Sequence, residues 1–177
     1  MDKAEGTTLS GGLLRVLGVG ALIIGDSGIG KSESALELIA RGHKFISDDV
    51  VQVRRGKGGA LTGQAPVLSR NFMEIRGLGI INIREIFGPK SIRPKSRIDL
   101  IIRLKKWRHG QELDRLGLKL PEDEVILGEK IPQVFIPVAP GRNIATLIEV
   151  ACRVHLLRKK GYHAPVEIMK RLDRALS

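Results

Sequence analysis

From Leu13 to Ile24 apolar residues run on with breaks at Arg15, Gly18 and Gly20, which predicts two short strands joined by a glycine turn. Lys31 to Arg41 changes period: Ala35, Leu38 and Ile39 fall on one helical face before Gly42 ends the helix. Lys44 to Ser47 then reads as a strand ending in Asp48-Asp49, and Val50 to Val53 continues extended toward the turn Gly56 to Gly59. Further strand patterns lie at Met73–Ile75, Ile80–Ile83, Ile98–Leu104 and Val134–Val138.

Two helices close the chain. Asn143 caps the first, in which Ile144, Leu147, Ile148, Ala151 and Val154 recur near helical spacing until Gly161 stops it. Pro165 suits the first turn of the second, where Val166, Met169, Leu172 and Leu176 form an apolar face. This order predicts an α/β protein with a mixed β core and flanking helices rather than a doubly wound sheet. At 177 residues, one domain with a substantial core is expected.

The strand ending at Ile24 runs into Gly25-Asp26-Ser27-Gly28-Ile29-Gly30-Lys31-Ser32, a complete G-x-x-x-x-G-K-[ST] pattern that opens the first helix. Its glycines let successive backbone N–H groups curl around phosphate oxygens. Lys31 reaches the β- and γ-phosphates, and the Ser32 hydroxyl completes a Mg²⁺ shell. The helix dipole adds attraction for the same anion. Binding of a nucleoside triphosphate is therefore expected.

Composition narrows the picture further. Thirty basic against 19 acidic residues give a formal charge of +11, which calls for an anionic partner. Aromatics are 3% of residues and no reader motif is visible, so stacking on nucleic acid has little equipment and no nucleic-acid partner is expected. The broken apolar stretch is neither a membrane span nor a signal-peptide core, and one cysteine, Cys152, allows no internal disulfide. No membrane partner and a cytoplasmic setting are expected, with Cys152 a small buried hydrophobe.

Asp48 and Asp49 follow the loop by one helix and one strand. A strand next to the loop strand would bring them to the phosphate edge of the sheet. Alternation along an extended chain would aim only one of them at the nucleotide, as base or metal helper, and leave the other structural. Glu74 and Arg76 share a strand face ahead of Gly77 and Gly79, which allow a close backbone approach. Arg115 and Arg142 sit in loops and are candidates to clamp phosphate.

Together GDSGIGKS, ALELIARGHKFISDD, EIRGLGIINI, DRLG and PVAPGRNIATLIEVA resemble the catalytic C-terminal domain of HPr kinase/phosphorylase, which phosphorylates a serine of the carrier protein HPr. The resemblance implies a fold similar to the nucleotide-binding core of phosphoenolpyruvate carboxykinase. It implies that residues 1–177 are one catalytic domain without the family's N-terminal domain. It further implies that the loop and Lys31 hold ATP or pyrophosphate, that Ser32 and Glu74 hold Mg²⁺, and that Asp49 exchanges a proton with the substrate serine. Arg115 corresponds to the family's catalytic arginine, Arg76 and Gly77 belong to its signature, and Arg142 to the loop tied to dephosphorylation. HPr or an HPr-like carrier is the implied partner, in a homo-oligomer, a hexamer.

Ser10 stands where the family carries an active-site histidine, and serine can hydrogen-bond phosphate but cannot carry positive charge. Two readings follow: a Mg²⁺-dependent ATP:protein serine kinase that also phosphorolyses phosphoserine, and a nucleotide-sensing module with weakened catalysis. A nucleic-acid-dependent ATPase would rest on charge alone.

Overall fold

A computed structural model describes residues 6–108, 110 and 114–176. The predicted strand pair is β2 (Gly12–Val16) and β3 (Val19–Ile24), antiparallel across a Leu17-Gly18 turn. It is preceded by β1 (Gly6–Ser10), a strand absent from the elements expected above. The loop then leads into α1 (Lys31–Ala40), β4 (Lys44–Ser47) and β5 (Val50–Arg55). After these come β6 (Leu61–Gln64), the hairpin β7 (Phe72–Ile75) and β8 (Gly79–Asn82), short α2 (Ile83–Phe87), β9 (Lys95–Arg97) and β10 (Leu100–Lys106). A second hairpin, β11 (Glu124–Ile126) and β12 (Glu129–Ile131), precedes β13 (Gln133–Val138), α3 (Ile144–Lys159) and α4 (Ala164–Leu176).

Five strands form the central sheet in the order β13-β10-β3-β2-β4. β10 is parallel to both β3 and β13, whereas β2 is antiparallel to β3 and to β4. Hence β3, β4, β10 and β13 all run the same way and end at one edge. A second, antiparallel sheet has the order β1-β5-β6-β9. The mixed α/β architecture expected from the sequence is therefore observed, with the extra β layer as its unforeseen part.

Alternation along the central strands explains the layering. Leu14, Ala21, Ile23, Leu100 and Ile102 face a core shared with Leu38 of α1 and Ile148 of α3. Leu13, Leu22, Ile46 and Ile101 face the opposite core, shared with Val51, Val53 and Leu61 of the second sheet. Both faces of the central sheet are thus covered, which suits its near-continuous apolar strands. Each fully buried Leu or Ile contributes about 2 kcal/mol of transfer free energy, so the platform beneath the strand ends is stiff.

Asn143 caps α3 as expected, its side chain accepting from the Thr146 N–H at 2.7 Å. Cys152 lies fully buried on α3, and burial pushes its thiol up to about 12, an inert packing residue. α4 buries none of its residues against the described chain and leaves Val166, Ile168 and Leu172 about half exposed. Among the described residues no helix is long and apolar enough to cross a membrane.

Candidate active site

The loop between β3 and α1 ends at Gly30, which takes φ 100° as the helix N-cap and supplies no side-chain cap. A non-glycine residue would be strained there. The first backbone N–H groups of α1 therefore point out without a capping side chain, and a helix end in that condition attracts anions. Lys31 curls back over the loop, its Nζ donating to the carbonyls of Gly25 at 2.8 Å and Asp26 at 2.9 Å. These carbonyl contacts hold the ammonium at the mouth of the loop, where phosphate oxygens would compete for it.

The acidic pair reaches the loop by a different route from the one expected. β4 is not a neighbour of β3; β2 lies between them. Delivery still succeeds because β4 is parallel to β3 and ends at the same edge. Nor does alternation govern Asp48 and Asp49, since the chain bends out of the central sheet between β4 and β5 and Asp49 adopts φ 62°. Aspartate tolerates that left-handed conformation better than most residues. The bend leaves Asp49 on the cavity lining and Asp48 buried against the Ser32 hydroxyl, so only one of the two faces the cavity, as expected, although a bend and not strand alternation separates them.

Their environments separate them. Asp48 is 9% exposed and accepts from the Ser32 hydroxyl, with Oγ 3.1 Å from Oδ1 and 3.3 Å from Oδ2. Burial, reinforced by the charge of Asp49, pushes the Asp48 pKa up to about 6, against the pull of Ser32, the Glu74 backbone and Lys31. Asp49 is exposed and lines a cavity of about 420 Å³ together with Ser10, Lys31, Ser32, Glu74 and Arg76.

A raised carboxyl pKa makes ionisation of Asp48 a cost to the fold. Between pH 3.8 and about 6 the folded chain holds a proton that the unfolded chain has released, so stability falls as pH rises through that window. In metal-free buffer the wild type is expected to lose stability relative to Asp48→Asn between about pH 4 and pH 7, by about 2–3 kcal/mol. Urea unfolding of both proteins across that range checks it, and parallel curves would refute the burial of a titrating Asp48.

Glu74 stands on β7 and Arg76 in the three-residue turn to β8, and both side chains line the cavity. Gly77 and Gly79 serve this turn through φ 91° and 82°; a Cβ on either would meet nothing within 4 Å. They are needed for conformation, not for the close backbone approach expected of them. Arg142 and Arg115 are not brought to this cavity. Arg142 donates to the Pro137 carbonyl at 2.6 Å and lines a separate cavity of about 740 Å³. Arg115 is exposed in a turn held by Asp114, whose carboxylate accepts from the N–H groups of Leu116, Gly117 and Lys119. Those bonds hold the Asp114 pKa below the usual carboxylate range.

Sequence reasoning missed two features of this edge. Asp48 directly positions Ser32, which spacing alone does not reveal. The end of β10 places Lys105, Lys106 and Arg108 beside the loop, for which the basic run Lys105-Lys106-Trp107-Arg108 was the available signal.

The donor set suits Mg²⁺. Ser32, Asp49 and Glu74 offer hard oxygen ligands around one cavity, and the Ser32 hydroxyl, donating its proton to Asp48, keeps its lone pairs free. Among the described residues no three His, Cys, Asp or Glu side chains are grouped so as to hold one metal ion. That is compatible with Mg²⁺, which usually takes one or two protein ligands and completes its shell with water and substrate phosphates.

These features define a mixed α/β protein in which a glycine-rich loop, a lysine and three carboxylates meet at the C-terminal edge of the central sheet. Residues 2–172 match the model of the HPr Serine kinase C-terminal domain, and the chain belongs to that family. It is 52% identical over 168 residues to an HPr kinase/phosphorylase of Geobacter sulfurreducens, covering 94% of this chain and 52% of the relative. It is 44% identical over 176 residues to one of Caldicellulosiruptor bescii, covering 99% and 56%. The chain thus spans about half the length of these curated relatives. The Hpr(Ser) kinase/phosphatase structure from Coxiella burnetii superposes with a TM-score of 0.82 at 35% identity, covering 88% of this chain and 94% of that one.

Proposed function

We propose that this chain is the catalytic domain of a Mg²⁺-dependent ATP:protein serine kinase that phosphorylates HPr or an HPr-like phosphocarrier, and that also phosphorolyses the phosphoserine product. The observation that carries the reading is the meeting of Lys31, the Ser32–Asp48 pair, Asp49 and Glu74 at one sheet edge. The names of the relatives support the same assignment. In this reading Gly25 to Ser32 work as a phosphate-binding loop, in a core akin to that of phosphoenolpyruvate carboxykinase.

Each residue then has a task. The loop N–H groups and Lys31 hold the β- and γ-phosphates of ATP and spread the charge that builds during transfer. Ser32 and Glu74 hold the Mg²⁺, which supplies further charge neutralisation when bound. Asp49, exposed to the cavity, accepts the proton of the acceptor serine as its oxygen bonds to the γ-phosphorus and the bond to ADP breaks. In reverse, inorganic phosphate attacks the phosphoserine phosphorus, the serine oxygen leaves with a proton from Asp49, and pyrophosphate forms. Ser10 lines the same cavity and can hydrogen-bond that phosphate.

Arg115 and Arg142 are assigned as phosphate clamps by the family resemblance alone, since neither lines this cavity, and the exposed apolar faces of α3 and α4 suit a homo-oligomer, a hexamer. Incubating the protein with HPr, Mg²⁺ and γ-labelled ATP is expected to label one serine of HPr. Adding inorganic phosphate to the labelled product is expected to release labelled pyrophosphate. ATP-dependent association with HPr without transfer would replace this reading by that of a nucleotide-sensing module.

A further inference from the structure

The charges around the loop are divided. On the β2–β4 side stand Asp48, Asp49 and Glu74. On the β10 side lies a second cavity, of about 410 Å³, whose charged lining is chiefly Lys105, Lys106, Arg103 and Arg108. Ser10 and Gly25 line both, so the two cavities adjoin along the loop.

Two of the four cations are already occupied. Arg103 donates to Gln133 at 2.6 Å and pairs with Glu124 at 2.9 Å, and the Lys105 ammonium sits 4.1 Å above the Phe135 ring. Lys106 and Arg108 are exposed and form no ion pair with the described residues. An extended polyanion crossing the loop has its reacting end fixed by the carboxylate that must handle the acceptor proton. Its other end is then directed to the β10 side, where four cations line the cavity against one carboxylate, Asp26, whereas Lys31 and Arg76 share the other cavity with Glu33, Asp49 and Glu74. The separation is electrostatic: Lys106 and Arg108 favour a phosphate, while the carboxylate side tolerates one only with a cation.

We propose that Lys106 and Arg108 hold the α-phosphate and sugar end of the nucleoside triphosphate in the β10-side cavity. The inference rests on the nucleotide-binding role proposed above and adds the residues that distinguish a nucleotide from a shorter phosphate donor. Pyrophosphate fits within the loop and does not extend to them.

The test measures calorimetric binding of Mg²⁺·ADP and Mg²⁺·pyrophosphate to the wild type and to the Lys106→Ala/Arg108→Ala double variant. ADP is expected to bind about tenfold more weakly to the variant, and pyrophosphate within about twofold of wild type. Lys57→Ala, which removes a charge from the turn at the far end of β5, is expected to change neither. Equal weakening of both ligands means a diffuse charge effect and overturns the proposal, as does unchanged ADP binding. If the double variant fails to fold, Lys106→Gln and Arg108→Gln singly carry the same comparison. A wild type that binds neither ligand overturns the phosphate-loop reading itself, an outcome distinct from the failure of Lys106 and Arg108 alone.

Discussion

Asp49→Asn is expected to lower phosphoryl transfer to HPr by about a thousandfold while nucleotide affinity stays within about threefold. Asparagine keeps the shape of the side chain and its place in the left-handed bend, where Asn is also tolerated. What it loses is the ability to accept the serine proton. Nucleotide affinity is held elsewhere, by the loop and Lys31, so the change should appear in kcat. Single-turnover transfer of label from ATP to HPr, alongside calorimetric nucleotide binding, checks both halves. Transfer within about tenfold of wild type would remove Asp49 from the proton-transfer role.

The contrast with Asp48 sharpens that prediction. Asp48 spends its carboxylate on the Ser32 hydroxyl and is buried, whereas Asp49 is exposed to the cavity. Two adjacent residues of one type thus have different protonation behaviour because the chain bends between them. Asp48 is a positioning residue for Ser32, and its raised pKa reflects the cost of that burial.

Periodicity made much of the fold legible. β2, β3, α1 and α3 follow directly from apolar spacing, since each buries a continuous face. The second sheet was harder to see because β1, β6 and β9 are short, β1 alternates only between exposed and half-buried positions, and the buried residue of β9 is a serine, Ser96. At the site, the glycine-lysine loop announced itself because its chemistry depends on contiguous residues. The Asp48–Asp49 geometry did not, for a reason visible in the topology: a bend that transfers the chain between sheets overrides strand alternation. Lys106 and Arg108 gained meaning only when β10 proved to lie beside β3, a pairing between segments 75 or more positions apart.

Gly20→Ala is expected to be the most damaging small substitution for the fold, because its Cβ would lie 1.6 Å from the Arg97 carbonyl oxygen and 2.7 Å from its carbon. Both atoms are backbone, so no rotamer relieves the clash. The two segments are clamped there: Gly20 N–H donates to Asp99 Oδ2 at 2.8 Å, and Asp99 N–H donates to the Gly20 carbonyl at 2.8 Å. Moving them apart breaks that exchange and shifts β10 against β3, the pair that carries the loop and the cationic cluster. A loss of about 3 kcal/mol or more is expected, lowering Tm by about 10 °C for a chain of this size. Gly18→Ala provides the comparison: φ is 83° but nothing lies within 4 Å of the added carbon. That variant should lose only about 1 kcal/mol, from the left-handed backbone conformation. Calorimetric melting of the two proteins separates steric closure from backbone strain. If Gly20→Ala melts within about 3 °C of wild type, the crossing of β3 and the β9–β10 turn is looser than this packing requires, and it does not fix the position of the site.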